Sequence, residues 1–248
     1  MILVTDDTNA AWPSTLCAVG LSCEGLENLP GVGLASNSAA AALKRLMKRA
    51  KNSGLNLSVA SGYRDYGRQL AIFNAKMRGE RPVYGDTGAL IFRQTRSSDE
   101  WLHAILRYSA LPGTSRHHWG TDFDIWDPTA VSADYALRLD ASEYTDDGPF
   151  APLSDWLTSL ISKDDAEGFY RPYTGEAGGV APEPWHLSHR PSARGFQSLV
   201  DNAPLIELWS GRANSLCQQG DFEALLGLEE VELQFDAIMA RYVRSYWV

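Results

Sequence analysis

The sequence is poor in cysteine, has no excess of basic residues and contains no long apolar run. Its 248 residues include three cysteines, Cys17, Cys23 and Cys217, and no C-x-x-C pair, so a zinc–thiolate site is not indicated. The formal net charge of −9 argues against nucleic acid or an anionic membrane as a partner. No apolar stretch approaches the length that a membrane-spanning helix needs.

The first residues lack the features of a secretory leader, and the cysteines do not settle the compartment. The segment MILVTDDTNAAWPS has no basic region, and its apolar run is short. Two locations are consistent with this pattern: the cytoplasm, or the cell envelope or periplasm after removal of a leader. Cys17 and Cys23 are close enough in sequence to form a disulfide, and three reduced thiols are the alternative.

Helical and extended patterns alternate along the chain, which is typical of a mixed α/β protein. A helix is predicted over residues 36–54, with Ser36 or Ser38 as its N-cap and Gly54 after its last turn. Strand-like alternation over residues 55–60 precedes a loop and a second helix that ends near Met77. Further predictions are a loop at 79–88, a helical region within 90–108, an extended segment at 115–125, an irregular region at 127–149, a helix at 153–161 capped by Ser154, strands at 168–173 and 183–189, and helices after Pro191.

One stretch, SRHHWGTDFDI at residues 115–125, contains two of the five histidines and two aspartates. The imidazole of His117 and the carboxylate of Asp124 are both good zinc ligands. Their odd spacing would place them on opposite faces of an unbroken strand. The two side chains can converge only if the backbone bends between them, and Gly120 is where the bend is predicted.

The segment EPWH at residues 183–186 offers the third ligand that a catalytic zinc site needs. His186 supplies a nitrogen. Pro184 holds Glu183 out of helical geometry, and the Glu183 carboxylate is a candidate to accept a proton from water. Two His, one Asp and a nearby Glu therefore form a candidate catalytic zinc set.

Spacing alone is weak evidence for this zinc set, because the same two segments contain other possible ligands. His118 and His189 are alternatives, and a lone histidine more often has a structural role. Asp122 lies two residues before Asp124, so both carboxylates share a face if the segment is a strand. The residue types alone leave open which aspartate binds.

Three segments, SGYRDYGRQ, SRHHWGTDFD and EPWH, resemble in their order the motifs of the LAS zinc peptidases. The second matches the pattern S-x-H-x-x-G-x-x-x-D and the third matches E-x-W-H, while GFYRPYTG resembles the strand that leads into the third. The resemblance covers about residues 55–190. The family includes D-alanyl-D-alanine carboxypeptidases and dipeptidases of the VanY and VanX type, some phage endolysins and the zinc domain of sonic hedgehog.

The resemblance implies a site with one zinc ion. It makes His117, Asp124 and His186 the zinc ligands. It makes Glu183 the general base and the acid to the leaving amine, and it makes Arg64 the group that binds the substrate carboxylate or stabilises the oxyanion. Substrate contacts are implied for Arg64, Gln69, Ser115 and Trp185.

One position departs from the family pattern, and two others have a structural alternative. Asp122 stands where the family commonly has a small residue. A side chain that faces away in a bulge is favoured there over one that strengthens metal binding or restricts an anionic substrate. Arg64 could instead pair with Asp65 or Glu80, and Trp185 could belong to the core.

The fold implied by the resemblance is α+β, a single domain with a central antiparallel sheet that holds the zinc in a cleft, flanked by helices. Residues 1–190 are expected to form the peptidase domain, with a loop-rich arm over 1–35. Residues 191–248 are expected to be a helical extension packed on the same domain. An apolar stripe supports that packing and comprises Val231, Phe235, Ile238, Met239, Tyr242 and Tyr246.

The expected function is that of a zinc metallopeptidase acting on peptidoglycan stem peptides or muropeptides. By resemblance it is a D,D-carboxypeptidase that releases terminal D-Ala, with Arg64 as the cationic anchor for the free carboxylate. The nearest rival is an L-alanyl-D-glutamate or other peptidoglycan endopeptidase of the endolysin type. A rival of another class is a non-catalytic zinc-stabilised binding domain, and the retained Glu183 argues against it. A structural protein without metal would require all three motifs to be coincidental.

Overall fold

The computed structural model describes residues 13–211 and 222–247. The helices in these ranges are α1 (Thr15–Ala18), α2 (Asn37–Asn52), α3 (Tyr66–Met77), α4 (Ser98–Leu106), α5 (Ala151–Ile161), α6 (Arg190–Asp201), α7 (Leu205–Trp209), α8 (Leu228–Leu233) and α9 (Phe235–Ile238). The strands are β1 (Leu26–Leu29), β2 (Gly33–Ser36), β3 (Ser58–Ser61), β4 (Val83–Tyr84), β5 (Leu90–Ile91), β6 (Asp122–Trp126), β7 (Phe169–Tyr170) and β8 (His186–His189). Short 3-10 turns lie at Arg93–Thr95, Arg116–Trp119, Pro128–Ala130, Ala141–Glu143 and Arg244–Tyr246, and a π-helical turn lies at Met239–Val243.

An antiparallel sheet with the strand order β3-β6-β8-β7 is the main sheet of the described chain. The expected α+β class with a central antiparallel sheet is thereby confirmed. The chain divides into two compact units that are discontinuous in sequence. One contains the described residues of Met1–Gly25, Arg64–His118 and Gly195–Arg244, and the other contains those of Leu26–Tyr63, Trp119–Arg194 and Ser245–Val248.

The second unit holds the main sheet, the β1–β2 hairpin and helices α2 and α5. Its hydrophobic core combines the buried face of α2 with inward-facing residues of β6, β8 and α5, among them Leu43, Leu46, Phe123, Leu157 and Leu187. Helix α2 begins where the sequence predicts, because the Ser36 side chain accepts a hydrogen bond from the amide of Ala39. Gly54 follows the helix with a φ of 79°, as expected for a residue that ends a helix.

The first unit contains α1, α3, α4, α7, α8, α9 and the β4–β5 hairpin. Helix α3 is capped by Asp65, and α4 begins with a capping box in which Ser97 and Glu100 bond to each other's backbone. The helical region predicted within residues 90–108 is confirmed as α4. The predicted loop at 79–88 is wrong in part, because Val83–Tyr84 pairs with Leu90–Ile91.

Two further predictions of local structure are wrong. Ser154 does not cap the helix predicted at 153–161, because α5 begins at Ala151 with Pro152 in its first turn, where its missing N–H costs nothing. The segment 115–125 is not extended throughout, since a 3-10 turn over Arg116–Trp119 precedes β6. The predicted strands near 168–173 and 183–189 are confirmed as the antiparallel pair β7–β8.

Several remaining predictions concern the ends of the chain and the cysteines. Cys17 and Cys23 are free thiols, Cys17 buried and Cys23 exposed, whereas Cys217 lies outside the described residues. The C-terminal stripe is buried except for Phe235, which is half-buried, and its helix is broken into α8, α9 and the π-helical turn. Among residues 13–211 and 222–247, no helix is both long enough and apolar enough to cross a membrane.

Candidate metal centre

The pairing of β6 with β8 places Asp124 directly opposite His186. Asp122 lies two residues earlier on the same strand, opposite Ser188, so both carboxylates point to the same face of the sheet. The His186 ring lies between them. Nδ1 of His186 is 3.2 Å from Oδ1 of Asp124, and Nε2 is 3.0 Å from Oδ1 of Asp122.

Gly120 bends the chain between His117 and Asp124, as the odd spacing requires. Its φ is +63°, a left-handed conformation that glycine adopts at little cost. A Cβ at this position would lie 2.8 Å from Cδ2 of Leu26. The bend separates the 3-10 turn that carries His117 from strand β6, which carries Asp124.

The three predicted ligands come together. His117, Asp124 and His186 are buried, and each offers one ligand atom within 4.8 Å of the others. Two ligands bound about 2.0–2.1 Å from a tetrahedral zinc ion lie about 3.3 Å apart, close to the 3.2 Å between His186 Nδ1 and Asp124 Oδ1. Two imidazoles and a carboxylate are a donor set that zinc prefers, so the residues fit a zinc ion.

The electrostatics of the site favour positive charge. Burial acts to lower the pKa of His186, but the three carboxylates around its ring outweigh that effect and hold the pKa well above its ordinary value. The carboxylates are those of Asp122, Asp124 and Glu183. A cluster that stabilises a proton on the imidazole is equally suited to a metal cation in the proton's place.

Glu183 reaches the same edge of the His186 ring as Asp124. Its Oε2 lies 3.4 Å from Nδ1 of His186, and its side chain is 12% exposed. The amide of Glu183 donates to the carbonyl of Tyr173 at 3.0 Å, which fixes the end of the loop that leads into β8. The amide of His186 donates to the carbonyl of Glu183, so the EPWH segment is a turn that enters the strand.

Arg64 is fixed by its backbone and by its guanidinium. Its amide donates to the carbonyl of His117 at 3.0 Å, and its own carbonyl is 2.6 Å from Nδ1 of His118. Nη1 donates to Oε1 of Gln69 at 2.8 Å, and Nε2 of Gln69 donates to the carbonyl of Ala110. Gln69 is buried and uses both ends of its amide in these bonds, which supports a role in holding Arg64.

Neither alternative histidine belongs to the ligand cluster found among the described residues. Both nitrogens of His118 have partners, because Nδ1 contacts the carbonyl of Arg64 and Nε2 accepts from the amide of Gly113 at 3.0 Å. Burial lowers the pKa of His118 to about 3, so the ring is neutral. Nδ1 of His189 contacts Oγ of Ser192 at 2.8 Å.

Ser115 and Trp185 are both buried. Trp185 belongs to the core cluster of the second unit, and its ring packs on that of Tyr144 with centroids 5.7 Å apart. This placement supports the structural alternative for Trp185. The carbonyl of Ser115 accepts from the amide of His118 in the turn that carries His117. Substrate contacts at both positions stay predictions.

The expectation for Asp122 is wrong, and two aromatic residues near the site were not anticipated. Asp122 does not face away in a bulge; it lies in regular pairing and contacts His186. Tyr173 packs edge-on against the His186 ring at 4.9 Å, and Tyr246 packs on Tyr173 at 5.0 Å. The placement of Asp122 could have been predicted, because it lies two residues from Asp124 and both therefore share one face of the strand. No sequence signal connects Tyr246 to this site.

Comparisons with known proteins identify related sequences and folds. Residues 34–192 match the family VanY, described as D-alanyl-D-alanine carboxypeptidase. Two uncharacterised proteins of Haemophilus influenzae are related to this chain. One is 29% identical over 135 residues, covering 54% of this chain and 92% of the relative, and the other is 39% identical over 98 residues, covering 37% and 66%.

Two solved structures are among those similar to part of this chain. VanYB in complex with D-alanine-D-alanine is 22% identical, with a TM-score of 0.48 and coverage of 70% of this chain and 82% of that chain. The LD-carboxypeptidase LdcB is 25% identical, with a TM-score of 0.44 and coverage of 71% and 68%. Because both TM-scores are below 0.5, the family assignment depends on the sequence match over residues 34–192.

Proposed function

Because the chain belongs to the VanY family of D-alanyl-D-alanine carboxypeptidases, we propose that it is a zinc-dependent peptidase that removes terminal D-Ala from peptidoglycan stem peptides. The observation that carries this proposal is the buried cluster of His117, Asp124 and His186, with the Glu183 carboxylate at its edge. The cell envelope, where stem peptides are exposed, is the proposed place of action.

His117, Asp124 and His186 would hold a single zinc ion. When bound, zinc supplies Lewis acidity, which polarises a carbonyl and lowers the pKa of water to about 7. Asp124 and His186 are fixed for this task by adjacent strands, and His117 is fixed by the turn before Gly120. The ligands therefore have little conformational freedom to lose when the ion binds.

Glu183 is the proposed general base. The Glu183 carboxylate lies beside the ligand cluster. Its side chain is longer than that of Asp124 and extends from a turn, so the carboxylate can accept a hydrogen bond from a water molecule without being a ligand itself. It would accept the proton of the attacking water and return it to the amine of the departing D-Ala. Arg64 would bind the terminal carboxylate of the substrate, since a guanidinium offers paired donors to a carboxylate.

The test is mass spectrometry of a muropeptide pentapeptide and of the matching tetrapeptide, each incubated with the zinc-loaded full chain. We expect the pentapeptide to lose one alanine residue from its C-terminus, a reaction abolished by chelation and restored by added zinc. A cut next to L-Ala would instead indicate the endopeptidase, and loss of alanine only from a tetrapeptide would indicate an L,D-carboxypeptidase. Zinc binding without any cleavage would favour the non-catalytic binding domain, and no zinc on the purified chain would reject the metal centre.

A further inference from the structure

The two nitrogens of the His186 ring face different carboxylates. Nδ1 faces Asp124 and Glu183, whereas Nε2 faces Asp122. The lone pairs of these nitrogens point in different directions from the ring. An ion bound at Nδ1 beside Asp124 therefore lies on the far side of the ring from Asp122. Accordingly, Asp122 is not in the ligand cluster found in the described part of the chain.

We propose that Asp122 is a positioning residue that accepts the Nε2–H of His186 and so leaves Nδ1 as the nitrogen directed at the ion. The inference rests on the proposed function, in which His186 is a zinc ligand. A neutral imidazole carries one N–H, and the hydrogen bond made by one nitrogen decides which nitrogen is left for the metal. The contact of 3.0 Å between Nε2 and Oδ1 of Asp122 selects the Nε2–H tautomer.

Asp122 is itself held in place. Its other oxygen, Oδ2, accepts a hydrogen bond of 2.6 Å from Oγ1 of Thr121. The residue is fully buried and lies in regular antiparallel pairing, with Asp122 opposite Ser188. Strand pairing and the contacts of both carboxylate oxygens therefore fix the rotamer of Asp122. A residue that orients another side chain has to be fixed in this way.

The negative charge of Asp122 would also be compensated by the zinc ion. Burying a carboxylate is costly unless its charge is compensated. Together, the carboxylates of Asp122 and Asp124 balance the two positive charges of a zinc ion.

The test compares zinc affinities, measured by competition with a chromophoric chelator, in variants of the full chain. Asp122→Ala should weaken zinc binding by about 10- to 100-fold, the usual effect of removing the partner of a metal-bound histidine. Asp122→Asn keeps an acceptor oxygen and should recover most of that loss. Asp127→Ala is the matched control, because Asp127 is also buried but bonds to the amides of Asn56 and Thr129.

Cobalt substitution provides a spectroscopic readout that a general loss of stability would not reproduce. The visible absorption of bound cobalt should change in Asp122→Ala and stay as in the wild type in Asp127→Ala. Wild-type affinity and spectrum in Asp122→Ala would overturn the inference, as would equal losses in both alanine variants. A wild-type chain that binds no zinc would reject the proposed metal centre itself. If Asp122→Ala does not fold, Thr121→Val removes the bond to Asp122 and should weaken zinc binding in the same direction.

Discussion

Oε2 of Glu183 lies 3.4 Å from Nδ1 of His186, on the ring edge that also faces Asp124. The turn of the EPWH segment creates this contact, because the amide of His186 donates to the carbonyl of Glu183. The proposed base and the proposed ligand are thus fixed by a single hydrogen-bonded turn. Their separation should change little on substrate binding.

Glu183→Gln should therefore abolish most of the activity without removing the metal. The amide cannot accept a proton from water, so kcat should fall by about 100- to 10,000-fold. Zinc content per chain should stay as in the wild type, since the ligands are elsewhere. Steady-state kinetics on a pentapeptide and elemental analysis measure the two quantities. Glu176→Gln, on the exposed part of the same loop, is the control and should keep full activity; undiminished kcat in Glu183→Gln would reject the base assignment.

Arg64 offers a test of carboxypeptidase against endopeptidase. Its guanidinium is held by Gln69 and its backbone by His117 and His118. If it binds the terminal carboxylate, Arg64→Ala should lower kcat/KM on a free-acid peptide by about 10- to 150-fold, the equivalent of a lost charge-assisted bond of about 1.5–3 kcal/mol. On the C-terminally amidated peptide, the same variant should match the wild type.

The control for Arg64 is Arg68, in the first turn of α3. Arg68 is exposed, and Arg68→Ala should leave both substrates unaffected. Gln69→Ala should reproduce part of the Arg64→Ala defect, because it removes the acceptor that holds the guanidinium. Equal losses on the free-acid and amidated peptides in Arg64→Ala would contradict carboxylate binding and would favour a role for Arg64 at the oxyanion.

Gly120 is the position at which the chain bend can be tested directly. Gly120→Ala combines a positive φ with a Cβ only 2.8 Å from Leu26, whereas Gly54→Ala has a φ of +79° but nothing within 4 Å. The control variant, Gly54→Ala, should lower the free energy of unfolding by about 1–2 kcal/mol through backbone strain alone. Gly120→Ala should cost about 1–3 kcal/mol more through overpacking. Denaturant unfolding measures both, and zinc affinity should fall only in Gly120→Ala; equal unfolding free energies would reject the crowding argument.

Sequence patterns were most informative where local chemistry decides the structure. The Ser36 cap, the apolar stripe of α2 and the left-handed Gly54 depend on neighbouring residues, and all three were predicted. The bend at Gly120 was predicted for a similar reason, because the odd spacing of His117 and Asp124 excludes an unbroken strand.

The remaining features depend on contacts between distant segments. The shared face of Asp122 and Asp124 follows from strand periodicity, but the position of the His186 ring between them depends on the register of β6 with β8. The turn over Arg116–Trp119 was mistaken for an extended segment. The backbone there is held by the Ser115 carbonyl and by the bond from the His118 ring to Arg64, fifty-four residues away. Such pairings cannot be read from a single sequence.

Tyr246 connects the end of the described chain to the proposed catalytic loop. Its hydroxyl oxygen accepts hydrogen bonds from the amides of Gly179 and Val180, at 3.1 and 2.7 Å. Its ring packs on Tyr173, which in turn packs on the proposed ligand His186. The loop between Tyr173 and Glu183 ends at the proposed base. Loss of the two hydrogen bonds to Tyr246 should therefore increase the mobility of the Glu183 side chain more than that of the metal ligands.

Tyr246→Phe should therefore lower kcat several-fold while zinc content stays unchanged. Removing one buried acceptor should also cost about 1–3 kcal/mol of folding stability. Tyr242→Phe is the matched control, since the Tyr242 hydroxyl bonds to Nδ1 of His103 at 2.9 Å, within the other compact unit. That variant should lose stability of the same order but keep kcat, as measured by denaturant unfolding and steady-state kinetics. If the two variants lose kcat equally, the effect is one of general stability, and Tyr246 has no specific influence on the loop.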